Sequence, residues 1–495
     1  MNFLYLFVLI PLLMMGGVAL LKEAKQVKIF MLVGSSIILI ASFVLLYLFL
    51  QAKAAAPNET MWFRSDLVWY EAFNIKFSVG VDGISVLMVI LSSIIVFTGS
   101  LVSWSMQEQV KEYFLWFLML SMGVFGFFIT IDLFSMFMFY EVALIPMYLL
   151  IGIWGTGRKE YSAMKLTLML MGGSAFLLLG ILGIYFNSSA EGAIRTMNIL
   201  EIAKVHIPVA AQNIFFPITF LGFGVLGALF PFHTWSPDGH SSAPTAVSML
   251  HAGVLMKLGG YGCFRVAIYL MPEGAQTYTT LFLVLTGISV VYGAFGAIVQ
   301  KDLKYINAYS SVSHCGLVLF AILMMNKTAM TGAILQMLSH GLNTALFFAL
   351  IGMIYSRTHT RLISEMGGLM KIMPIISVFW VISGFTSLGL PGLSGFVSEM
   401  TIFIGAFQHA DMFHRVLTIL ACSSIVITAV YILRVVGKIL FGPVFDQHHL
   451  TLTDATWNEK IALVTLTVGI VIIGIAPFFP SNIISDGLTS IIGRL

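Results

Sequence analysis

Long apolar runs recur along the whole of this 495-residue chain, and they constrain what it can fold into. A helix needs about 20 consecutive, mostly apolar residues to cross the hydrocarbon core of a bilayer, and about fourteen runs reach this length. They cover residues 2–20, 29–50, 84–105, 113–130, 132–154, 163–186, 211–232, 243–270, 279–300, 305–325, 331–356, 371–404, 414–440 and 460–480. The sequence therefore predicts an all-α polytopic membrane protein, with residues 1–495 forming a single transmembrane domain.

Composition excludes several functional classes. Hydrophobic residues make up 59% of the chain and charged residues 9%, whereas soluble domains carry about 25% charge. The net charge of +3 is not gathered into a basic stripe, so nothing indicates nucleic-acid binding. The three cysteines lie in apolar runs without a paired motif, and no nucleotide-binding or metal-ligand motif is present. We therefore expect no metal or cofactor site on this chain.

Loop charge predicts the orientation, because cytoplasmic loops of membrane proteins are rich in Lys and Arg. The odd-numbered loops and their edges hold Lys22, Lys25, Lys28, Lys111, Arg158, Lys159, Lys165, Lys301, Lys304, Arg357, Arg361 and Lys371. We expect these loops to face the cytoplasm and both termini to face outward. The loop after the seventh run has no Lys or Arg and departs from the pattern. The first run lacks a basic start and a cleavage site, so we interpret it as a retained helix.

Lys257 lies in the middle of the run 243–270, roughly 20 Å into the membrane. A lysine side chain is too short to reach water from that depth, and a charge at mid-bilayer costs roughly 3 kcal/mol on insertion scales. Such a residue is a candidate for taking up and releasing protons. The alternative is a static ion pair.

Glu141 and Glu399 lie in similarly apolar surroundings. The charge state of a buried carboxylate depends on its partner, as a switchable proton site requires. Glu399 follows the glycine- and proline-rich break in its run, where unwound backbone admits water. The alternatives are a protonated Glu141 that only bonds a neighbouring helix, and a Glu399 that only caps one.

Five histidines are further candidates. His251, His314 and His340 lie in apolar runs, and neutral imidazoles among Ser, Asn and Gln side chains can pass protons along a hydrated line. Their alternatives are satisfied core histidines or haem ligands, although the paired spacing of membrane haem proteins is absent. His233 and His240 bracket a predicted cytoplasmic loop, where they mark a proton entrance or only order the loop.

Two runs are interrupted by glycine and proline, at Gly222–Pro231 and Gly384–Gly395. The pattern Gly-Phe followed by Leu-Gly occurs in both, five runs apart, and a unit with an odd number of helices inserts upside down relative to its twin. We therefore predict two inverted five-helix repeats, residues 113–270 and 279–440, in which helices 7 and 12 are broken. The alternative is a pair of ordinary glycine-rich packing helices.

Several motifs resemble the antiporter-like subunits of respiratory complex I, over essentially the whole chain. They are Val81-Asp-Gly-Ile-Ser, Tyr140-Glu141 with Pro146-Met-Tyr, Pro231-Phe-His-Thr-Trp-Ser-Pro-Asp-Gly-His with Ser-Ser-Ala-Pro-Thr-Ala, Leu255-Met-Lys-Leu-Gly-Gly-Tyr-Gly, Tyr309-Ser-Ser-Val-Ser-His and Gly395-Phe-Val-Ser-Glu. The wording, Glu399 and the length are most similar to the M-type subunits of bacterial NADH–quinone oxidoreductase, the counterparts of mitochondrial subunit four.

The resemblance implies a non-redox, proton-translocating subunit of an NADH:ubiquinone or menaquinone reductase in the bacterial cytoplasmic (inner) membrane. Glu141, Lys257 and Glu399 would carry protons together with His314 and His340 on the central axis. FMN, iron–sulfur clusters and quinone would be bound by partner subunits, and L-like and N-like antiporter subunits would lie on either side. The resemblance leaves open the coupled quinone, the proton stoichiometry and whether sodium is carried.

The chain departs from the family at one position. Relatives carry a lysine in the break of the seventh helix, but Leu226 stands there, and no Lys or Arg occurs between Lys204 and Lys257. We hypothesise that His251 replaces this lysine as the protonatable partner of Glu141. The alternative is that Lys257 alone serves Glu141.

Three other functions remain open. A subunit of a multi-chain sodium/proton antiporter shares the fold and most motifs, and so does a subunit of a membrane-bound hydrogenase. A membrane scaffold that has lost pumping is the third, suggested by Leu226, but the retained buried charges argue against it.

Overall fold

Helices make up nearly all of the structure. The computed structural model describes residues 2–57, 59–71, 74–189 and 194–495. Their helices are α1 (Leu6–Leu20), α2 (Ala24–Ala55), α3 (Gly83–Val102), α4 (Val110–Ile129), α5 (Leu133–Trp154), α6 (Lys159–Phe186), α7 (Ile199–Ile202), α8 (Val209–Leu226), α9 (Trp235–Ser242), α10 (Thr245–Leu250), α11 (Met256–Gly262), α12 (Pro272–Val299), α13 (Leu303–Leu323), α14 (Lys327–Thr358), α15 (Leu369–Ile372), α16 (Pro374–Ser387), α17 (Ser394–Ala406), α18 (Met412–Leu440), α19 (Trp457–Ile475) and α20 (Phe478–Ile492).

Twelve helices within the described ranges are long and apolar enough to cross a membrane: α1–α6, α8, α12–α14, α18 and α19. The run 243–270 instead forms α10 and α11, separated and followed by π-helical turns at His251–Leu255 and Cys263–Ile268. The run 371–404 is divided into the short apolar helices α16 and α17. The membrane-spanning, helical class is thus confirmed, while the total of fourteen spans stays a prediction.

The expectation of an all-α chain needs one correction. Within the loop between α2 and α3, strands β1 (Trp62–Tyr70) and β2 (Ile75–Val81) form an antiparallel hairpin. Aromatic and β-branched residues favour strands, and this loop is rich in them. Residues 58, 72 and 73 of this predicted outer loop, and 190–193 of the next, lie outside the described residues.

The hairpin and α20 mark one face of the molecule, which we call the hairpin face. Lys53, at the end of α2 from which the chain enters the hairpin, joins α2 to α20 there through an ion pair with Asp486. The opposite, basic face holds the loops after α1, α3, α5, α12 and α14, where Lys and Arg are concentrated. The two faces fix the direction in which each helix runs.

The interrupted helices α8 and α16 end in the same way. Leu229 N–H donates to Gly224 O and Ala228 N–H to Val225 O, while Leu390 donates to Phe385 O and Gly389 to Thr386 O. This double hydrogen bond is the Schellman motif, which places one residue in the left-handed conformation. That residue is Ala228 (φ 57°) in the first break and Gly389 (φ 67°) in the second. The helix ends therefore pair position 228 with position 389, whereas the repeated Gly-Phe pattern in the sequence pairs 222 with 384, a difference of one residue in register.

A second feature occurs twice, on opposite faces. Leu133 N–H donates to Met197 O and Ile199 N–H to Ile131 O on the hairpin face. Leu303 N–H donates to Arg361 O and Ile363 N–H to Lys301 O on the basic face. Each pairing ties the start of one helix, α5 or α13, to the segment that precedes a broken helix. Such a relation is what inverted repeats would produce.

Two opposite exchanges, Ala to Gly at position 228 and Gly to Ala at position 172, should both stabilise the protein, for different physical reasons. Ala228→Gly should raise the free energy of unfolding by about 1 kcal/mol, because glycine relieves the steric cost of positive φ. Gly172→Ala on α6, where an added Cβ meets open space, should also raise it, by roughly 0.5–1 kcal/mol through helix propensity. Thermal or SDS-induced unfolding of the purified protein measures both. A loss of stability in Ala228→Gly would contradict the left-handed assignment.

Candidate functional site

The ammonium of Lys257 is held inside the protein by two contacts. The residue is 2% exposed and lies at the start of α11. Its Nζ donates to the carbonyl oxygen of Ala252 (2.5 Å) and lies 2.8 Å from Nδ1 of His340. Ala252 belongs to the π-helical turn His251–Leu255, whose wider backbone spacing departs from the regular α-helical ladder. Since a charged lysine only donates, His340 Nδ1 must accept from it.

The line of polar groups continues from His340 to the far side of the second broken helix. The rings of His340 and His314 lie 5.2 Å apart between centroids. His314 Nδ1 lies 3.1 Å from Nε2 of Gln336 and 3.5 Å from Oε1 of Glu399. Glu399 is 7% exposed on α17. The structure therefore brings together Lys257 and three more of the predicted residues in one buried file.

Helix α14 positions this file by hydrogen bonds to both halves of the broken helix. The bonds run from Ser398 Oγ to Gln336 Oε1 (2.5 Å), between the hydroxyls of Ser339 and Ser394 (2.8 Å), from Asn343 Nδ2 to Ser387 Oγ (2.8 Å) and from Ser383 Oγ to Asn343 Oδ1 (2.8 Å). Gln336 and Asn343 lie on either side of His340 along the helix. The sequence had indicated polar surroundings for the histidines, but not these pairings.

Glu141 does not join this file. It lies half-buried on α5, on the helical face that also carries Ile145 and Tyr148, which are 52% and 43% exposed. No hydrogen bond to its Oε1 and no ion pair of its carboxylate occurs within the described residues. The role of Glu141 stays a prediction. Its Oε1 is buried without a hydrogen-bond partner among the described residues, and the contacts of the Lys257 ammonium go to Ala252 and His340 instead.

His251 and His240 lie against each other on the basic side of Lys257. Their ring centroids are 4.3 Å apart, and His251 also stacks on Trp235 at 5.3 Å. Nε2 of His240 lies 3.3 Å from the sulfur of Met256. Both nitrogens of His251 and Nδ1 of His240 are buried without a hydrogen-bond partner among the described residues. The hypothesis that His251 is the protonatable partner of Glu141 stays a prediction.

The predicted loop between His233 and His240 is largely helix α9, and both histidines are buried. His233 packs its ring against Phe230 and Tyr292. The loop expectation failed because Ser, Pro, Asp and Gly usually favour turns, whereas tertiary packing makes this stretch helical. Both imidazoles are therefore enclosed by the protein, and their role as a proton entrance stays a prediction.

Polar groups that the sequence did not single out close the basic face around α9. Lys165 Nζ donates to Asp238 Oδ2 (2.7 Å), and Tyr305 OH donates to Asp238 Oδ1 (3.0 Å). Lys304, which is 4% exposed, donates to the carbonyl of Ala243 (2.6 Å). From the sequence, Lys304 was only one of the basic residues in the predicted cytoplasmic loops. The one signal that could have indicated its burial was its place at the edge of an apolar run.

Comparison with known proteins identifies the family. The family described as "NADH:quinone oxidoreductase/Mrp antiporter, TM" matches residues 130–428, more than half of the chain. The chain belongs to this family. It is similar to NADH-quinone oxidoreductase subunit M of Rickettsia prowazekii, with 34% identity over 92% of this chain and 91% of that protein.

Solved structures agree with this membership. A chain of respiratory complex I from Thermus thermophilus superposes with a TM-score of 0.87 and 25% identity, covering 99% of both chains. A chain of the Mrp complex from Dietzia shares the fold, with a TM-score of 0.79 at 20% identity over 99% of this chain and 97% of that one. All eight residues singled out from the sequence lie within the stretch that matches the antiporter family.

A buried ion pair fixes the end of the Lys257 segment at the hairpin face. The guanidinium of Arg265 donates to Oδ2 of Asp82, and the two residues are 3% and 0% exposed. Asp82 also caps α3, because its Oδ1 accepts from the backbone N–H (2.9 Å) and hydroxyl (3.0 Å) of Ser85. Arg265 also lies over the ring of Tyr261, 5.5 Å from its centroid. This pair joins α3 to the antiporter-family segment.

Breaking this pair should be strongly destabilising. Arg265→Met should lower the free energy of unfolding by about 3–5 kcal/mol, because it leaves the Asp82 carboxylate buried and uncompensated. Adding Asp82→Asn should restore much of the loss, since the amide is neutral and can still accept at the helix cap. Unfolding midpoints of the purified protein measure both changes.

The exposed pair Arg64–Glu59 on the same face is the matched control. Arg64→Met should change stability by less than about 1 kcal/mol. An equally small effect of Arg265→Met would show that Asp82 is hydrated, contrary to its burial.

Proposed function

We propose that this chain is the M-type membrane subunit of an NADH–quinone oxidoreductase and that it carries protons through a buried file of side chains. The observation that carries the proposal is the continuity from Lys257 through His340 and His314 to Glu399. Four groups that gain and lose protons are aligned across apolar surroundings, where an isolated charge is costly. The names of the relatives supply the class of the complex.

The direction of transfer follows from the two faces. Lys257 takes a proton from the basic face, and His340 accepts it across the 2.8 Å contact between Nζ and Nδ1. His314 and Glu399 then pass it toward the hairpin face, where α17 ends. Moving one charge against the membrane potential costs about 2.3 kcal/mol per 100 mV. We propose that redox chemistry in partner subunits supplies this energy and that FMN, iron–sulfur clusters and quinone are bound there, with no redox site on this chain.

The open face of α5 supports neighbouring subunits as partners. Ile145 and Tyr148 are 52% and 43% exposed there, beside Glu141 on the same helical face. A neighbouring chain that packs on this face would bury both side chains. We propose L-like and N-like antiporter subunits on either side, in the bacterial inner membrane, with both termini on the outer side.

The paired backbone hydrogen bonds and the matching helix ends support two inverted units, residues 113–270 and 279–440. In this arrangement each unit places its broken helix beside one end of the proton file. The antiporter reading shares this architecture, so the fold alone does not favour either alternative. Copurification with flavin and iron–sulfur chains supports the oxidoreductase, and sodium-dependent proton exchange without those chains supports the antiporter.

Lys257→Met should abolish proton transfer through this subunit while the complex still assembles. The thioether matches the lysine stem in shape but cannot hold a proton, so the file is cut at its entrance. The measurement is the number of protons pumped per NADH oxidised by the purified complex in sealed vesicles. Lys301→Met, at an exposed lysine on the basic face, should leave this ratio unchanged. An unchanged ratio in Lys257→Met would overturn the proposed file.

His251→Phe tests whether this residue replaces the lysine absent at position 226. Phenylalanine keeps the aromatic packing on Trp235 but removes both ring nitrogens. We expect proton pumping to fall about a hundredfold or more, the typical contribution of a positioned proton-transfer group. His206→Phe, at a side chain that is 72% exposed, is the control. Pumping equal in the two variants would show that Lys257 acts without His251.

A further inference from the structure

A deep apolar groove opens on the side of the molecule opposite the proton file. It has a cavity volume of about 420 Å³ and lies between α2 and α19, with α3 and α14 as its floor and α20 at one end. Representative lining residues are Phe43, Leu91, Leu342, Val468 and Phe479. Apart from the hydroxyl of Thr465, the lining side chains are hydrocarbon or glycine. The volume falls within the range of about 300–1,000 Å³ that is usual for ligand sites.

The length and depth of the groove match one leaflet of a bilayer. Along α19 it extends from Val464 to Ile473, which corresponds to roughly 14 Å at 1.5 Å per residue. Half of a hydrocarbon core of about 30 Å is about 15 Å. Phe479 and Pro480 place one end of the groove at the hairpin face. Ile94, Leu342 and Val464, which lie furthest from that face on their helices, place the other end near mid-membrane. An extended acyl chain fits these limits.

Lys53, whose charge is balanced by Asp486, offers a hydrogen-bond donor for a lipid headgroup. Its ammonium donates to the carbonyl of Asn482 (2.7 Å) and pairs with Asp486 (2.8 Å), beyond the Phe479 end of the groove. An ammonium has three N–H donors, so two are used by these contacts and one remains. The side chain is 23% exposed, which leaves that donor accessible to a phosphate at the membrane surface.

The floor of the groove is the back of the helix that carries His340. Leu338 and Leu342 lie two residues before and after His340, so they point about 200° away from it. Leu91 packs against Gly341, whose Cα also closely approaches the carbonyl of Gly253 in the π-helical turn. An occupant of the groove therefore contacts Leu91 and the back of α14, next to the place where α14 packs against the segment that carries Lys257.

We propose that the groove binds one acyl chain of a phospholipid from the leaflet at the hairpin face, with the phosphate held by Lys53, and that this lipid supports the contact between Lys257 and His340. The binding site stands on the geometry of the groove alone. Only its effect on proton transfer rests on the proposed function.

Photolabelling of the purified complex tests the binding site. The complex is reconstituted into vesicles of phosphatidylethanolamine and phosphatidylglycerol that contain phosphatidylethanolamine with a diazirine in the middle of one acyl chain. After illumination, mass spectrometry of peptides should find lipid adducts at Leu342 and Val468. Val468→Trp fills the groove and should lower labelling of α14 at least tenfold, which corresponds to about 1.4 kcal/mol.

Val430→Trp on α18 is the matched control, because Val430 is 50% exposed and Val468 is 48% exposed. It should leave the labelling unchanged. Lys53→Gln should lower it roughly two- to fivefold, as expected for loss of a surface charge contact. Equal labelling in the two tryptophan variants would overturn the proposal. Labelling absent from wild type because a partner subunit covers the groove would overturn it as well.

A second arm tests the effect on proton transfer. Detergent delipidation should lower the number of protons pumped per NADH in wild type, and added phospholipid should restore it. Val468→Trp should be insensitive to both treatments, because the indole replaces the acyl chain. Equal sensitivity of this variant and wild type would refute the effect. Labelling does not depend on pumping, so failure of the proposed proton transfer and failure of the lipid site give different results.

Discussion

The contact between Lys257 and His340 is the interaction on which the rest of the structure depends. An ammonium in the middle of the protein needs acceptors, and the π-helical turn supplies one by directing the carbonyl of Ala252 toward Nζ. The second acceptor comes from another helix, so the crossing of the two segments must be close. Gly253 and Gly341 allow this, because a Cβ at either position would collide with the backbone carbonyl or side chains of its neighbours. A costly charge thus dictates both backbone irregularity and tight packing.

The sequence was most informative where a charged or polar residue lies within an apolar run. Lys257 and Glu399 could be selected because charges are rare in apolar runs, and His314 and His340 because they accompany polar neighbours. The same signal did not reveal that Glu141 lies apart from this file, with its Oε1 buried and without a partner among the described residues. Hydropathy reports the depth of a residue, whereas the direction of its side chain depends on which helices pack around it.

The interrupted helices show a second limit. Glycine and proline indicated both breaks, but the left-handed residue of the first is Ala228, which carries no such signal. The run from His233 to His240 has turn-forming composition and yet forms α9, because Trp235 and His240 are buried against the neighbouring helices. The hairpin β1–β2 was not predicted, because it lies between two strong membrane spans in a segment that is too polar to span the membrane and was therefore expected to be a loop. Local propensity failed at Ala228 and in α9, where tertiary contacts set the conformation, whereas the residues of the hairpin do have a propensity for strands.

The two broken helices are braced differently, and this decides how movement would travel. In the first, the indole of Trp235 donates to the carbonyl of Val225 (3.0 Å), so the brace spans the break within one segment. In the second, the brace runs through Gln336, Ser339 and Asn343 of α14. A displacement of α16 or α17 therefore drags α14, and His340 with it. Lengthening the 2.8 Å contact to Lys257 by about 1 Å would end it as a hydrogen bond, so a shift of the second broken helix would break the buried file at its Lys257 end.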